Sequence, residues 1–124
     1  MAANKVIRIG PIALTTTLTT NILNCNITSL SGPVGYTTTQ DYLILRHVRI
    51  VNKTTLATTF SLYIGASVTN AAGTEFMGTG LSVLGNTAYD WYGMVRLDAA
   101  DFLVGGASAA TSLVIEAEGE IGKV

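Results

Sequence analysis

The sequence predicts an all-β sandwich, jelly-roll-like, with about eight short strands and an extended N-terminal arm. Three observations carry this expectation. Apolar residues recur at every second position in several runs, at Phe60, Leu62 and Ile64, at Tyr89, Trp91, Val95 and Leu97, and at Leu113, Ile115 and Ala117. That is the spacing of strands with one face buried. The polar residues between them are mainly Thr, Ser, Asn and Gly, of which Thr favours strands and Gly and Asn favour turns. No stretch long enough for a stable helix carries helical spacing. Short strands separated by Gly and Asn turns are the pattern of a sandwich or jelly roll. A chain of 124 residues suits one domain, large enough to bury roughly two thirds of its unfolded surface without a metal or disulfide.

Residues 1–11 read as the arm. Val6, Ile7 and Ile9 are apolar, Lys5 and Arg8 interrupt them, and Gly10-Pro11 ends the run. An arm that adds a strand to a neighbouring subunit accounts for apolar residues this close to a terminus; a first edge strand of the same domain is the alternative. Residues 12–124 form the sandwich. Residues 12–30 alternate Thr with apolar residues and read as two strands joined near Thr20-Asn21. Residues 31–40 are a loop, with Ser-Gly-Pro-Val-Gly at its start.

The organising stretch is residues 42–66. Two runs rich in β-branched and aromatic residues flank Asn52-Lys53-Thr54-Thr55, a β-hairpin or a tight β-connection. The first run begins apolar on both faces, as in a strand covered on both sides. In the second, Phe60, Leu62 and Ile64 face the core. Further on, residues 75–77 and 81–84 are short apolar pieces punctuated by Gly78, Gly80 and Gly85. Residues 88–97 are a strand, 102–104 a short strand, Gly105-Gly106-Ala107-Ser108 a loop, and 111–121 the last strand. The expected core is Leu45, Phe60, Leu62, Ile64, Trp91, Val95, Leu97, Leu113 and Ile115.

Charge excludes several functions. Only 12% of residues are charged, and seven Lys and Arg against eight Asp and Glu give a net charge of −1. A nucleic-acid reader needs a basic face, and Arg46 and Arg49, three apart, fall on opposite faces of a regular strand. Sparse charge over an apolar-rich chain suits a surface buried against other subunits. No segment is long and apolar enough to span a membrane as a helix, and no apolar signal segment follows Met1.

Reactive residues are few. His47 and Cys25 are single; Cys25 reads as a core residue and His47 as a structural or interface one. No nucleophile elbow is present, and two potential soft ligands are too few for zinc. Asp90, Asp98 and Asp101 lack the spacing of a calcium loop and suit turns. Glu116, Glu118 and Glu120 share one face of the last strand, as a solvated face or a guarded edge does. Gly78-Thr79-Gly80 is not a phosphate loop. The sequence therefore argues against an enzyme and calls for no cofactor and no metal. Tyr89, Trp91 and Tyr92 remain as binding candidates; Trp91 shares its face with Val95 and Leu97, whereas Tyr92 lies opposite, beside Asp90 and Arg96.

Residues 42–119 carry a resemblance. An apolar strand ends in Asn (Val48-Arg49-Ile50-Val51-Asn52), and a Thr-rich strand ends in Ser61-Leu62-Tyr63-Ile64-Gly65. Trp91-Tyr92-Gly93 follows, then Leu97-Asp98-Ala99-Ala100-Asp101-Phe102-Leu103, a small-residue stretch and a terminal strand. This pattern resembles small β-sandwich structural proteins of tailed bacteriophage virions, found as head decoration, neck or tail components. It departs from them at Ala100, where Gly commonly precedes the Asp. The resemblance implies a non-enzymatic protein localised in the virion. Its partners would be further copies of itself, as a trimer, and a major capsid protein or other virion protein. Neither nucleic acid nor membrane would be bound. Decoration of the head is the first role implied, with neck or tail as the alternative. The expected assembly surface is Val6, Ile7, Ile9, Ile12 and Tyr92. A lectin-like sandwich is the competing reading, and it requires exposed aromatic residues beside polar ones.

Overall fold

The computed structural model describes residues 5–17, 21–24, 42–65, 74–98 and 101–122. Among these are eight strands: β1 (Lys5–Ala13), β2 (Asn21–Asn24), β3 (Tyr42–Asn52), β4 (Thr58–Gly65), β5 (Glu75–Val83), β6 (Ala88–Leu97), β7 (Phe102–Ala107) and β8 (Leu113–Gly122). They form two four-stranded sheets, ordered β1-β8-β3-β6 and β2-β7-β4-β5, and every pairing is antiparallel. The protein is an all-β sandwich.

The pairings are nested. β4 pairs with β5, β3 with β6, β2 with β7 and β1 with β8, and these four pairs alternate between the two sheets. One long antiparallel ribbon therefore winds around the sandwich. The apolar alternation explains the core between the sheets. Leu43, Leu45, Val48 and Ile50 of β3 meet Phe60 and Leu62 of β4, with Leu97, Leu103, Leu113 and Ile115 completing it; all are almost wholly buried. Ile64, Trp91 and Val95 were expected inside but are half-buried and pack against the margin of this core. Trp91 sits edge-on to Phe76 at 5.0 Å between ring centroids. Around β4 and β7 the second sheet is buried on both faces: Tyr63 and Ser61 are buried like their inward neighbours Phe60 and Leu62, though slightly less completely, and Val104 is fully buried.

Several expectations change. Residues 5–11 do not leave the domain as an arm. From Lys5 onward the chain is an edge strand, registered on β8 from Lys5↔Ile121 to Ala13↔Val114, and it crosses the expected domain boundary between residues 11 and 12. A short apolar strand looks the same in sequence whether its partner is intramolecular or not. The register shifts between Ile9 and Ile12, where Gly10 has a φ of 82°. A side chain there would be strained and would sit 2.7 Å from the Ile115 carbonyl oxygen. Residues 14–17 are not strand; they carry the chain from the first sheet to the second, with Leu14 N donating to Leu113 O and Ala107 N donating to Thr15 O. The two pieces at 75–77 and 81–84 are one strand, β5. The glycines at 105 and 106 continue β7, because β7 lies so close to β4 that a side chain at 105 would collide with the Ser61 carbonyl. Cys25, the loop at 31–40 and Ala100 lie outside the described residues.

The central connection between β3 and β4 is not a hairpin, since its strands belong to different sheets. It is a tight crossover held by Asn52, which is 1% exposed. The Asn52 Nδ2 donates to the carbonyls of Leu56 (2.7 Å) and Val83 (2.9 Å). Its Oδ1 accepts from Thr54 N (2.9 Å) and Thr54 Oγ1 (2.7 Å). Both donors and both acceptor positions of the amide are thus used. Asn86 N donates to Thr54 O and joins the β5–β6 turn to the same end of the sandwich.

Candidate functional site

The outer face of the first sheet gathers the polar chemistry of the chain. The register places Arg8, Glu118, His47 and Tyr92 in one row across β1, β8, β3 and β6. Val6, Glu120, Ile44 and Arg96 form the next row, and Glu116, Arg49 and Asp90 another. Of fifteen charged residues, 7 basic and 8 acidic, eight lie here: Arg8, Arg46, Arg49, Arg96, Asp90, Glu116, Glu118 and Glu120.

A bulge in β3 makes this face. The register against β8 shifts between Leu45 and His47, so two residues of β3 oppose one step of β8. Leu45 and Val48 both point inward with Arg46 and His47 between them, and the alternation restarts one residue out of phase. Arg46 and Arg49, expected on opposite faces, consequently share the outer one. The signal was present in the sequence only as two apolar phases, Leu43-Leu45 and Val48-Ile50, that no single period of two can serve.

His47 is the centre of the face. Its Nε2 lies 2.8 Å from Asp90 Oδ1, and its Nδ1 lies 4.0 Å from Glu118 Oε1. The imidazole stacks on the Tyr92 ring at 4.5 Å and 12°. Arg49 Nε donates to Asp90 Oδ1 at 2.7 Å. This hydrogen bond first, and the one from His47 second, hold the Asp90 carboxyl below the usual carboxylate range. The same contact raises the pKa of Arg49. Arg46 Nε pairs with Glu120 Oε2 at 2.5 Å, and the Arg96 guanidinium lies 4.3 Å above the Tyr42 ring while Nε bonds Asp98. Beside His47 a shallow depression of about 370 Å³ is lined by Val6, Arg46, His47, Glu118, Gly119 and Glu120.

The expected assembly residues separate. Tyr92 is 71% exposed and Val6 75%, and both belong to this face. Ile9 is in the core, Ile12 packs against it, and Ile7 takes its place in β1 opposite Gly119. Ile9 and Ile12 therefore serve the fold of their own chain. Tyr89 packs edge-on to Phe60. A second exposed set, Leu56 and Leu84, lies at the end of the sandwich tied by Asn52 and Asn86. No group of His, Cys, Asp and Glu that could hold a metal occurs among the described residues, and no described helix is long and apolar enough to cross a membrane. The chain matches no known protein family and no curated protein sequence.

Proposed function

We propose that this chain is a non-enzymatic structural component of a virion, acting as a homo-oligomer, with decoration of a phage head as the first role and a neck or tail position as the second. The observation that carries this is the segregation of charge. Eight of fifteen charged residues share one sheet face, while within the described part of the second sheet Glu75 is the only charged residue. Contact surfaces are depleted in charge at their centres, so the charged face remains in water and the uncharged remainder meets neighbours. Exposed Leu56 (75%) and Leu84 (65%) lie in that uncharged region, with Lys53 the one charge in the connecting loops at 53–57 and 84–87.

The nested ribbon gives a second support. We read its connectivity as jelly-roll-like, an architecture that recurs in viral capsid proteins and lectins; this is an analogy of fold, and fold alone does not fix function. The trimer and a capsid-protein partner are parts of the same proposal. With β1 committed to its own sheet, attachment goes through the surface of the sandwich instead of an exchanged arm. The test is sedimentation of the purified chain alone and with capsids of the parent virus. A discrete oligomer that cosediments with capsids, and that Leu56→Asp with Leu84→Asp weakens while the fold is kept, is the expected result. A chain that stays monomeric and never joins particles removes the proposal.

A further inference from the structure

We propose that the outer face of the first sheet is a binding site for a neutral saccharide, centred on His47, with Tyr92 on one side of it and a depression on the other. The inference rests on the geometry of this face and does not depend on the assembly reading.

The first support is the charge balance of the face. Four arginines, Arg8, Arg46, Arg49 and Arg96, stand against four carboxylates, Asp90, Glu116, Glu118 and Glu120. A polyanion would meet the carboxylates and a polycation the guanidiniums, so neither gains from the face as a whole. A ligand whose groups both donate and accept hydrogen bonds, and which carries no charge, is the chemistry that such a surface serves. Sugar hydroxyls are that chemistry.

The second support is preorganisation. Tyr92 has one ring face on His47 and yet is 71% exposed, so the opposite ring face is open to solvent. His47 is fixed by Asp90, and Asp90 in turn by Arg49. A flat aromatic ring held in place offers apolar area at little entropic cost, and carboxylate and guanidinium groups locked by neighbours present hydrogen-bonding edges in fixed positions. A face needed only for solubility has no use for an exposed ring stacked and braced in this way. The third support is shape. The depression of about 370 Å³ next to His47 has one apolar wall, Val6, and polar sides from Arg46, Glu118 and Glu120. It lies within the size range of small-ligand sites.

The experiment is a heteronuclear NMR titration of the isotope-labelled full chain with glucose, galactose, mannose, N-acetylglucosamine and their β-linked and α-linked disaccharides, with a sulfated disaccharide as charged control. The expected result is that at least one neutral sugar shifts the amides of His47, Tyr92, Glu118 and Gly119. Tyr92→Ala should weaken that sugar by about tenfold or more, equivalent to about 1.4 kcal/mol, while Tyr92→Phe keeps it. Because Tyr92 is exposed, both variants retain the fold, which the dispersion of the same spectra verifies. The proposal is overturned if no neutral sugar moves these amides, if Tyr92→Ala binds as well as the wild type, or if the sulfated control binds in preference.

Discussion

Replacing Asn52 by Ala should cost this protein about 2.5–4.5 kcal/mol. The side chain is buried and spends its full hydrogen-bonding capacity on three backbone groups and one hydroxyl. Its bond to the Val83 carbonyl is buried, and stranding a buried acceptor costs about 1–3 kcal/mol. The other three bonds are partly accessible, where water replaces much of the loss, and each contributes about 0.5 kcal/mol at the lower end of the usual range. With an unfolding entropy of about 2.1 cal/mol/K per residue, a chain of 124 residues should lose about 10–17 °C in Tm. Thermal melts by circular dichroism and urea titrations give the two numbers independently. Asn52→Asp is the internal control. It keeps the acceptor facing Thr54 but turns a second acceptor toward the carbonyls of Leu56 and Val83, so at neutral pH it should be at least as damaging as Ala. A loss below about 1 kcal/mol in Asn52→Ala would show that the crossover does not depend on this amide, and the reasoning would fail.

Three further outcomes are expected. Gly119→Ala places a methyl against the Ile44 carbonyl beside the β3 bulge, and should destabilise by about 2 kcal/mol or more in a denaturant titration; neutrality would mean that the β3–β8 spacing gives way easily. Deleting residues 1–11 removes Ile9 from the core and most of the β1–β8 ladder, leaving β8 paired with β3 alone, so the truncated chain should lose its cooperative melt; a truncated chain with wild-type Tm would restore the arm. Asp90 has a folded pKa depressed by Arg49 and His47. Its contribution is therefore present above the ordinary carboxylate pKa of about 3.9 and is lost as pH falls through the lower folded value. Tm measured downward from about pH 5 should fall less steeply in Asp90→Asn than in the wild type, and parallel curves would contradict the assigned cause.

How legible the molecule was in its sequence depended on whether a strand keeps one phase. β8 alternates without interruption and its faces came out as read, whereas in β6 the alternation lapses at exposed Gly93, where the pairing with β3 shifts register. β4 was read as one-sided, yet Ser61 and Tyr63 are also buried, at 7% exposed against 1% for Phe60, because burial of an outer face is decided by what covers it and not by the strand itself. Gly78 and Gly80, with φ of 138° and 63°, broke the apolar period of β5 without ending its ladder. Gly105 and Gly106 looked like a loop because local propensity cannot register how near β4 approaches. The candidate face was the least legible part. Tyr92 was singled out for its exposed side of β6, but its partners come from β3, where the bulge at Arg46 and His47 reverses the expected facing. An inserted residue of that kind is a tertiary feature, visible only once the neighbouring strands fix the register.

The nested pairing also sets the order in which this chain can fold. β4 and β5 are close in sequence, whereas Lys5 pairs with Ile121 across nearly the whole polypeptide. Loop-closure entropy penalises such distant contacts until the inner ones exist, so the ribbon closes from its middle outward and β1 docks last. On the ribosome β1 emerges before the other seven strands and its partner β8 after them. Through most of synthesis the chain therefore carries an unpaired apolar strand, and β8, once released, is the template that removes it. A slow folding phase tied to β8, and aggregation of nascent chains arrested before residue 113, are the expected cost of joining β1 to β8 in one ladder.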